Sequence, residues 1–389
     1  MRGREVEYFQ VFHEVSRALL SVLDSKTVLH LIAKRLVSPL DAKASALMLL
    51  DENTRRLELV AFHRLSQRYL GKGPVAADRS IADALSGRPV LVENAPEDER
   101  IQYKDEAKEE GIASILSVPM IVKGQILGVL RIYTAQPRRF TNNELQLVSA
   151  IAEIGAIAIE NARIFEARGA ELSELLKAGG LEYESGNTLV KYPVQGVLKG
   201  EIDRTKSYHY FRTLYRLTKT ITSTTGMEET LGKVAREIGK AMLVKGCNLL
   251  WLNMTTGELE LLASFGLSHT YLAKGPLRID KSIPQALEGE TVHIADARRD
   301  TRIQYPDAAH REGITSMVSV PISVKERVRG VLRLYSSNST PFREEEIQFA
   351  RVLAEIAGIA IINAKLYQER TNDIAFWKAT LDYLGLRST

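Results

Sequence analysis

The 389-residue chain repeats itself at a constant offset of 202 positions, and this repeat limits the folds open to it. Lys72-Gly73-Pro74 recurs as Lys274-Gly275-Pro276, and Gly128-Val129-Leu130-Arg131 recurs as Gly330-Val331-Leu332-Arg333. The match continues without a gap through most of each half. Solenoid repeats are about 20–50 residues long, and this unit is several times longer. The sequence therefore predicts two copies of one globular domain.

We expect the first domain to span residues 6–167 and the second to span residues 208–369. Residues 168–207 between them are expected to form a connector, because glycines and a proline interrupt any regular element there. Residues 370–389 are expected to form a helical tail that continues the last helix of the second domain.

The charge and the hydropathy of the chain argue against two classes of partner, nucleic acid and membrane. The net charge is only +4, and its 52 basic and 48 acidic residues are interspersed rather than grouped, so no basic surface for nucleic acid is indicated. No apolar run reaches the 18–20 residues that a membrane span needs, and residues 1–7 lack the apolar stretch of a secretion signal. We therefore expect a cytoplasmic protein that binds neither nucleic acid nor membrane.

Metal and thiol chemistry are also disfavoured. The single cysteine, Cys247, excludes an intrachain disulfide and any metal site that needs two or more thiolates, and it is interpreted as a small buried strand residue. None of the seven histidines recurs at the 202 offset or has a histidine four residues away. No metal site is predicted, and no cofactor is identified.

The apolar periods follow the same order in both units. Two helices come first, and a hairpin, a short helix, a third strand, a loop with a helix, a second hairpin and a long helix follow. In the first unit the strands are predicted at residues 44–50, 57–62, 90–92, 115–122 and 126–133, with a sixth strand where residues 71–77 pair. Each unit is therefore expected to be an α+β domain with a six-stranded antiparallel sheet flanked by helices.

The long helix that closes each unit has more apolar surface than one sheet can cover. Thr141 and Glu144 have the spacing of a capping box, which sets the helix start. From there two adjacent apolar stripes run along the helix, so it should pack on its own sheet and on something else, either the opening helix or the same helix of a second chain. We expect a homodimer formed through these long helices.

At this point the chain resembles a known family. The order of elements resembles the GAF domain, present twice. The matching residues are Glu110 to Ser114 leading into Ser117-Val118-Pro119, Gly128 to Tyr133, and Phe140 leading to Glu144 and the long helix. The resemblance implies an antiparallel sheet with helices on one face and a loop-rich pocket on the other, which the family uses to bind small molecules or to dimerise and signal.

Three branches of that family fit this chain poorly. The Asn-Lys pair of cyclic-nucleotide binders is replaced by Tyr133-Thr134 and Tyr335-Ser336. Bilin carriers need a pocket cysteine, whereas Cys247 lies on a predicted strand. The sulfoxide reductase branch needs at least two cysteines, since the attacking thiol must be resolved by another.

Polar residues that recur between the copies are the candidate ligand-binding residues. Arg100 and Tyr103 recur as Arg302 and Tyr305, in a loop that lies over the pocket in the family. Arg100 is predicted either to fork onto Asp98 or Glu110 as a structural pair or to bind an anionic or aromatic ligand. The same set recurs around Arg302, with Asp300 and Glu312 as the equivalent carboxylates. A hydroxyl at the start of the next strand is a further candidate in each copy, and these two residues are Ser114 and Ser316.

Arg131 and Arg333 are the remaining candidates, because each lies mid-strand among apolar neighbours. A buried guanidinium needs a partner. Glu153 and Glu355 on the long helices are the predicted structural partners, and a ligand is the alternative.

No nucleophile, zinc-protease or nucleotide-binding motif occurs in the sequence, so no catalysis is predicted. We expect a sensory or regulatory module that binds an unidentified small molecule and signals through its long helices to a separate output protein. The alternative is a scaffold that binds no ligand and whose pockets are filled by side chains.

Overall fold

A computed structural model describes residues 4–21, 24–51, 53–76, 83–178, 204–224, 226–278, 284–325, 327–338 and 342–383. Most of the predicted connector, residues 179–203, and the end of the predicted tail, residues 384–389, lie outside the described residues. The helices on either side of the connector extend into its predicted range, to Ala178 and from Arg204.

The first copy begins with two helices and ends with a 37-residue helix. Its helices are α1 (Arg4–Ser21), α2 (Ser25–Val37), α3 (Gln67–Leu70), α4 (Lys104–Glu109) and α5 (Asn142–Ala178), with a 3₁₀ turn at Ala84–Ser86. Its strands are β1 (Ala44–Asp51), β2 (Arg56–His63), β3 (Val75–Ala76), β4 (Val90–Val92), β5 (Ser114–Val122) and β6 (Gln125–Thr134).

The second copy repeats this order. Its helices are α6 (Arg204–Ser223), α7 (Met227–Ala241), α8 (His269–Leu272), α9 (Pro284–Leu287), α10 (Pro306–Glu312) and α11 (Glu344–Tyr383). Its strands are β7 (Gly246–Leu252), β8 (Glu258–Phe265), β9 (Leu277–Arg278), β10 (Val292–Ile294), β11 (Ser316–Val324) and β12 (Arg327–Ser336).

Each copy forms one six-stranded antiparallel sheet, as the sequence predicts. The strand order is β3-β2-β1-β6-β5-β4 in the first copy and β9-β8-β7-β12-β11-β10 in the second. Strands β1 and β6 pair in the centre of the first sheet, where Ala46 is opposite Arg131. Strands β7 and β12 pair in the centre of the second sheet, where Asn248 is opposite Arg333. The central strand pair therefore has the same register in both copies.

Gly128 allows the close approach of these central strands. A Cβ atom at Gly128 would lie 2.1 Å from the carbonyl oxygen of Met48, and one at Gly330 would lie 2.5 Å from that of Leu250. Both distances are far below van der Waals contact. The Gly-Val-Leu-Arg repeat thus carries a packing requirement at its first position.

The two faces of each sheet differ. Because side chains alternate along a strand, Leu130 and Ile132 pack on the helices, whereas Val129, Arg131 and Tyr133 lie on the opposite face. That opposite face is covered by loops and short helices. The long helix begins where predicted: the Glu144 carboxylate accepts from the Thr141 backbone N–H at 2.7 Å, and Thr141 Oγ1 accepts from the Glu144 N–H at 3.3 Å.

The helices of the two copies join in one bundle. Each of α1, α5, α6 and α11 contacts the other three. One continuous apolar cluster contains residues of both copies, including Phe9, Tyr210 and Phe349, and the rings of Tyr210 and Phe349 stack at 3.7 Å. The second apolar stripe of α5 is thus covered within the chain by the opening helices α1, α2 and α6.

The two copies are joined by a pair of backbone hydrogen bonds at positions related by the 202-residue offset. The backbone N–H of Lys325, in the β11–β12 turn, donates to the carbonyl of Leu20 at the end of α1 at 3.0 Å. The backbone N–H of Lys123, in the β5–β6 turn, donates to the carbonyl of Thr222 at the end of α6. Each opening helix therefore ends on a strand turn of the other copy, and the two contacts are equivalent in sequence.

Two helical segments, Asn142–Ile164 and Glu344–Glu369, are long and apolar enough by length and composition to cross a membrane. In each, 78% of the most apolar window is buried inside the molecule. Their apolar character is accounted for by their place in the core of the bundle.

Candidate functional site

The loop-covered face of each sheet carries a buried arginine. Arg131 is 3% exposed and Arg333 is 4% exposed. The Nε of Arg131 donates to Ser117 Oγ at 3.2 Å across the β5–β6 pair, and the Nε of Arg333 donates to Ser319 Oγ at 3.1 Å across the β11–β12 pair. Both guanidinium groups thus lie where the resemblance places a pocket.

The predicted glutamate partners of these arginines are wrong. Glu153 and Glu355 extend from the long helices, on the opposite side of the sheet from the arginines. Glu355 Oε1 lies 3.1 Å from His13 Nε2, and Thr222 Oγ1 donates to Glu153 Oε2 at 3.1 Å. Both glutamates therefore join the two copies. Sequence spacing placed arginine and glutamate in one domain but could not show which face of the sheet each occupies.

A pair of tyrosines lies next to each arginine. The rings of Tyr69 and Tyr133 meet edge to face at 6.0 Å, and those of Tyr271 and Tyr335 at 5.7 Å. Burial raises the pKa of all four phenols, so they are neutral at physiological pH. They supply neutral hydroxyls beside a positive charge.

A half-buried lysine completes the positive character of this face, and the sequence analysis missed it. Lys72 Nζ lies 3.6 Å from the centroid of the Tyr69 ring, and Lys274 Nζ lies 3.8 Å from that of Tyr271. Burial, followed by repulsion from the neighbouring arginine, lowers the pKa of each lysine to about 8. The recurrence of lysine in both Lys-Gly-Pro turns was the available signal.

Tyr103 and Tyr305 fasten these lysine turns. Their hydroxyls donate to the carbonyls of Pro74 and Pro276, each at 2.9 Å. Gly275 has a φ of +114°, and a Cβ there would lie 2.8 Å from the Tyr305 hydroxyl, so the turn requires glycine. The two candidate tyrosines thus position the Lys-Gly-Pro turn.

Arg100 and Arg302 form the structural pairs that were one of their two predicted alternatives. Arg100 binds Asp98 through Nε at 2.9 Å and Nη2 at 2.6 Å, and Arg302 binds Asp300 in the same way. These guanidinium groups lower the pKa of both aspartates. Glu110, the other partner considered for Arg100, instead accepts from the backbone N–H and hydroxyl of Ser66.

Ser114 and Ser316 lie on the helix side of their strands, in step with Leu116 and Val318. The Ser114 hydroxyl donates to the carbonyl of Glu93 at 2.8 Å and accepts from the backbone N–H of Arg138 at 3.0 Å. Ser316 Oγ is buried without a hydrogen-bond partner among the described residues. The strand alternation therefore directs both side chains away from the loop-covered face of the sheet.

The loop-covered face of the sheet in the second copy contains a cavity of about 280 Å³. The Lys274-Gly275-Pro276 turn forms one wall, and strands β7 and β8 form another. Its lining is mostly aliphatic with two polar side chains, and consists of Asn248, Leu250, Leu259, Leu261, Leu272, Ala273, Lys274, Gly275, Pro276 and Leu277.

Asn248 is the polar strand residue of this cavity, and sequence reasoning missed it as well. It is 1% exposed. Its Nδ2 donates to the Tyr335 hydroxyl at 3.2 Å, and its Oδ1 has no hydrogen-bond partner among the described residues. The first copy has Ala46 at the equivalent position. A single amide within the otherwise apolar run of β7 was the available signal.

Cys247, one residue before Asn248, is buried as predicted, and its Sγ donates to the carbonyl of Ala235. Burial raises the pKa of its thiol to about 12. Within the described ranges, no three His, Cys, Asp or Glu side chains come together as metal ligands would.

Family models match both copies of the repeat. Family models described as GAF domain match residues 22–160 and residues 226–361. The GAF domain of a phosphoenolpyruvate-protein phosphotransferase from Coxiella burnetii aligns with a TM-score of 0.39 and 23% identity, over 43% of this chain and 98% of that chain.

Two curated relatives are regulatory proteins by name. The chain is 25% identical to a Nif-specific regulatory protein of Herbaspirillum seropedicae over 161 residues, which is 40% of this chain and 29% of that protein. It is 25% identical to the formate hydrogenlyase transcriptional activator FhlA of Escherichia coli K12 over 175 residues, which is 42% of this chain and 25% of that protein. The chain thus spans less than a third of either relative.

Proposed function

The chain belongs to the GAF domain family, in which it is a tandem member with two domains, and on this basis we propose that it is a sensory or regulatory module. The module binds a small molecule on the loop-covered face of its sheet and signals through its long helices. The curated relatives with regulatory names support the regulatory part of the proposal.

The cavity of the second copy is the observation that carries ligand binding. It combines aliphatic walls with a half-buried lysine and a buried amide, and a mostly apolar cavity with few polar groups is typical of small-molecule sites. Arg333 adds a second positive charge nearby, since its repulsion lowers the pKa of Lys274. These groups favour an anionic ligand.

The sheet connects this cavity to the helices. Arg333 and Tyr335 lie on the cavity side of β12, and Leu332 and Leu334 on the same strand pack in the helical core. A ligand that binds more tightly to one arrangement of strand and helix would shift the population toward it. Because α11 contacts α1, α5 and α6, that shift would change how the two copies pack.

We further propose that the protein is cytoplasmic, has no catalytic activity of its own, and passes its signal to a separate output protein. Homodimerisation through the long helices stays a prediction. The part of α5 and α11 within the bundle is already covered inside the chain, so a homodimer would use helix surface outside it.

A scaffold without ligand is the second candidate. The first copy favours it in part: Ala46 replaces the cavity amide, and the rings of Tyr69 and Tyr133 and the side chain of Arg131 are buried on the pocket face. A scaffold holds no small molecule in either copy.

Native mass spectrometry of the purified full chain beside a denatured sample tests the proposal. We expect a small-molecule mass on the native protein that is absent after denaturation, and its loss in the Lys274→Met variant. Native protein with the same mass as the denatured chain would contradict the sensor and favour the scaffold. The same spectrum reports whether the protein is a monomer or a dimer.

A further inference from the structure

The difference between the two copies points to the ligand and to the copy that binds it. We propose that the second copy alone binds, and that its ligand is a compact monocarboxylate with an apolar body and one neutral N–H or O–H donor. This inference rests on the proposed function and names the ligand class of that site.

The donor requirement comes from Asn248. Asn248 lines the cavity, its Oδ1 is buried and has no hydrogen-bond partner among the described residues, and its Nδ2 donates to the Tyr335 hydroxyl. A buried carbonyl without a donor costs free energy, and a ligand N–H or O–H removes that cost. Ala46 offers no acceptor at the equivalent position, so the first copy cannot make this bond.

The carboxylate requirement comes from Lys274. Its Nζ donates to the carbonyl of Tyr271 at 3.1 Å and lies over the Tyr271 ring, but it forms no ion pair with any residue that the structure describes. The nearest acidic influence is Glu312, whose carboxylate is bound to the backbone N–H and hydroxyl of Ser268. A ligand carboxylate at Lys274 would also lie in the field of Arg333.

The cavity limits the rest of the ligand. A volume of about 280 Å³ lies just below the range of ordinary ligand pockets, so the molecule is compact. Leu250, Leu259 and Leu272 give the walls their apolar character, which suits an aliphatic or aromatic body. A charged amino group is disfavoured as the donor, because Lys274 and Arg333 would repel it.

Isothermal titration of the full chain with three acids tests the inference: N-acetyl-leucine, 2-hydroxy-4-methylpentanoate and indole-3-acetate. We expect at least one to bind wild-type protein with one site per chain. The corresponding primary amide and the analogue with its donor methylated should each bind at least tenfold more weakly.

Four variants locate the site. Asn248→Ala and Lys274→Met should each weaken binding at least tenfold, whereas Lys72→Met in the first copy should leave it within threefold. Asn248→Ala has a natural control for folding, because the first copy folds with alanine at this position. Ala46→Asn should create a second, weaker site.

Three results would overturn the inference. The first is that none of the acids binds. The second is that Lys72→Met abolishes binding while Lys274→Met does not. The third is that Asn248→Ala leaves the affinity unchanged, as expected if a water satisfies its oxygen. If any of these occurs while native mass spectrometry still shows a bound small molecule, the inference fails and the proposed function stands; if no bound mass is seen either, both fail.

Discussion

At the scale of single residues, each sheet places positively charged side chains in a largely buried environment. The strand alternation directs Arg131 and Arg333 to the loop-covered face, and the Lys-Gly-Pro turn brings a lysine to the same face. In each copy the lysine lies over the ring of one neutral tyrosine, and that ring contacts a second tyrosine. Buried charged groups with shifted pKa values are typical of functional sites, which is why this cluster carries functional information.

Removing the charge of Lys274 should stabilise the ligand-free protein at pH 7. Because burial lowers its pKa from the ordinary 10.5 to about 8, the unfolded chain binds more protons between these values. The destabilising contribution of Lys274 is therefore relieved as the pH increases from 8 to 10.5. We expect Lys274→Met to be more stable than wild type at pH 7, with that advantage shrinking over this window.

Urea unfolding at several pH values measures this effect. Lys233→Met is the matched control, because the Lys233 side chain is 52% exposed and has no burial cost to relieve. An equal gain in both variants would mean that the added methionine, rather than the lost buried charge, stabilises the protein.

Arg302 should act on stability and not on binding. Its bidentate pair with Asp300 and its bond to the carbonyl of His293 hold the loop in place. We expect Arg302→Ala to lower the free energy of unfolding by about 1 kcal/mol, since its side chain is 39% exposed and its pair is screened by solvent. Affinity for the titrated acids should not change.

Thermal unfolding and the same titration measure the two effects. Arg298→Ala is the control, because the Arg298 side chain is 62% exposed and its contact with Asp296 is longer, at 3.2 Å. Lost affinity in Arg302→Ala at an unchanged melting temperature would restore the ligand-binding role that the sequence left open for this residue.

At the scale of elements, the joint between the helices contains buried polar groups that a simple apolar bundle lacks. Glu153 on α5 is 8% exposed and accepts from Thr222 on α6. Glu355 on α11 meets His13 on α1. The two contacts do not match in chemistry, although the glutamates are equivalent in sequence.

Glu153→Gln should stabilise the protein above pH 7. Burial raises the pKa of this carboxyl from 4.5 to about 7. The contribution of Glu153 to stability is therefore fully present below pH 4.5 and is lost as the pH rises through 7. Glutamine keeps the neutral shape without titrating. At pH 8 we expect the variant to gain up to about 3 kcal/mol, since one pKa unit corresponds to about 1.4 kcal/mol.

Denaturant unfolding between pH 4.5 and 8 measures the gain. Thr222→Val is a control in the opposite direction, because it removes the hydrogen bond that partly lowers the Glu153 pKa and should shift the pH dependence upward. A pH profile of Glu153→Gln parallel to that of wild type would show that Glu153 does not titrate in this range.

At the scale of the whole molecule, the chain behaves as two domains by sequence and as one body by packing. The largest apolar cluster takes side chains from both copies, and α1 and α6 each end on a turn of the other copy. Because the two copies share this core, we expect them to unfold in one cooperative transition. We therefore expect the shared core, rather than the connector, to hold the two copies together.

Cleaving the connector should leave the halves bound. We expect a protease site inserted within residues 179–203 to yield two fragments that co-elute in gel filtration, and calorimetry of the intact chain to show one transition. Phe349→Ala, which removes a ring from the shared core, is the matched variant and should lower the temperature of that single transition and promote separation after cleavage. Two well-separated transitions in the intact chain would show that the copies fold independently.

The sequence by itself determined the duplication, the α+β class, the six strands of each sheet, the capping box at Thr141 and the family. These follow from local periodicity, turn residues and the 202-residue offset, which are all visible along the chain. It also placed Arg131 and Arg333 among the buried polar residues, because a charge within an apolar strand is visible locally.

Only the tertiary structure decided what those residues meet. The sheet separates Arg131 from Glu153, so a pairing that spacing allowed does not form, and Glu153 joins the other copy instead. Lys274 and Asn248 are 26 positions apart and become neighbours of one cavity only when β7 and the Lys-Gly-Pro turn fold together. The physical reason is that local pattern fixes the direction of a side chain within its element, whereas its partners depend on contacts between residues distant in the chain.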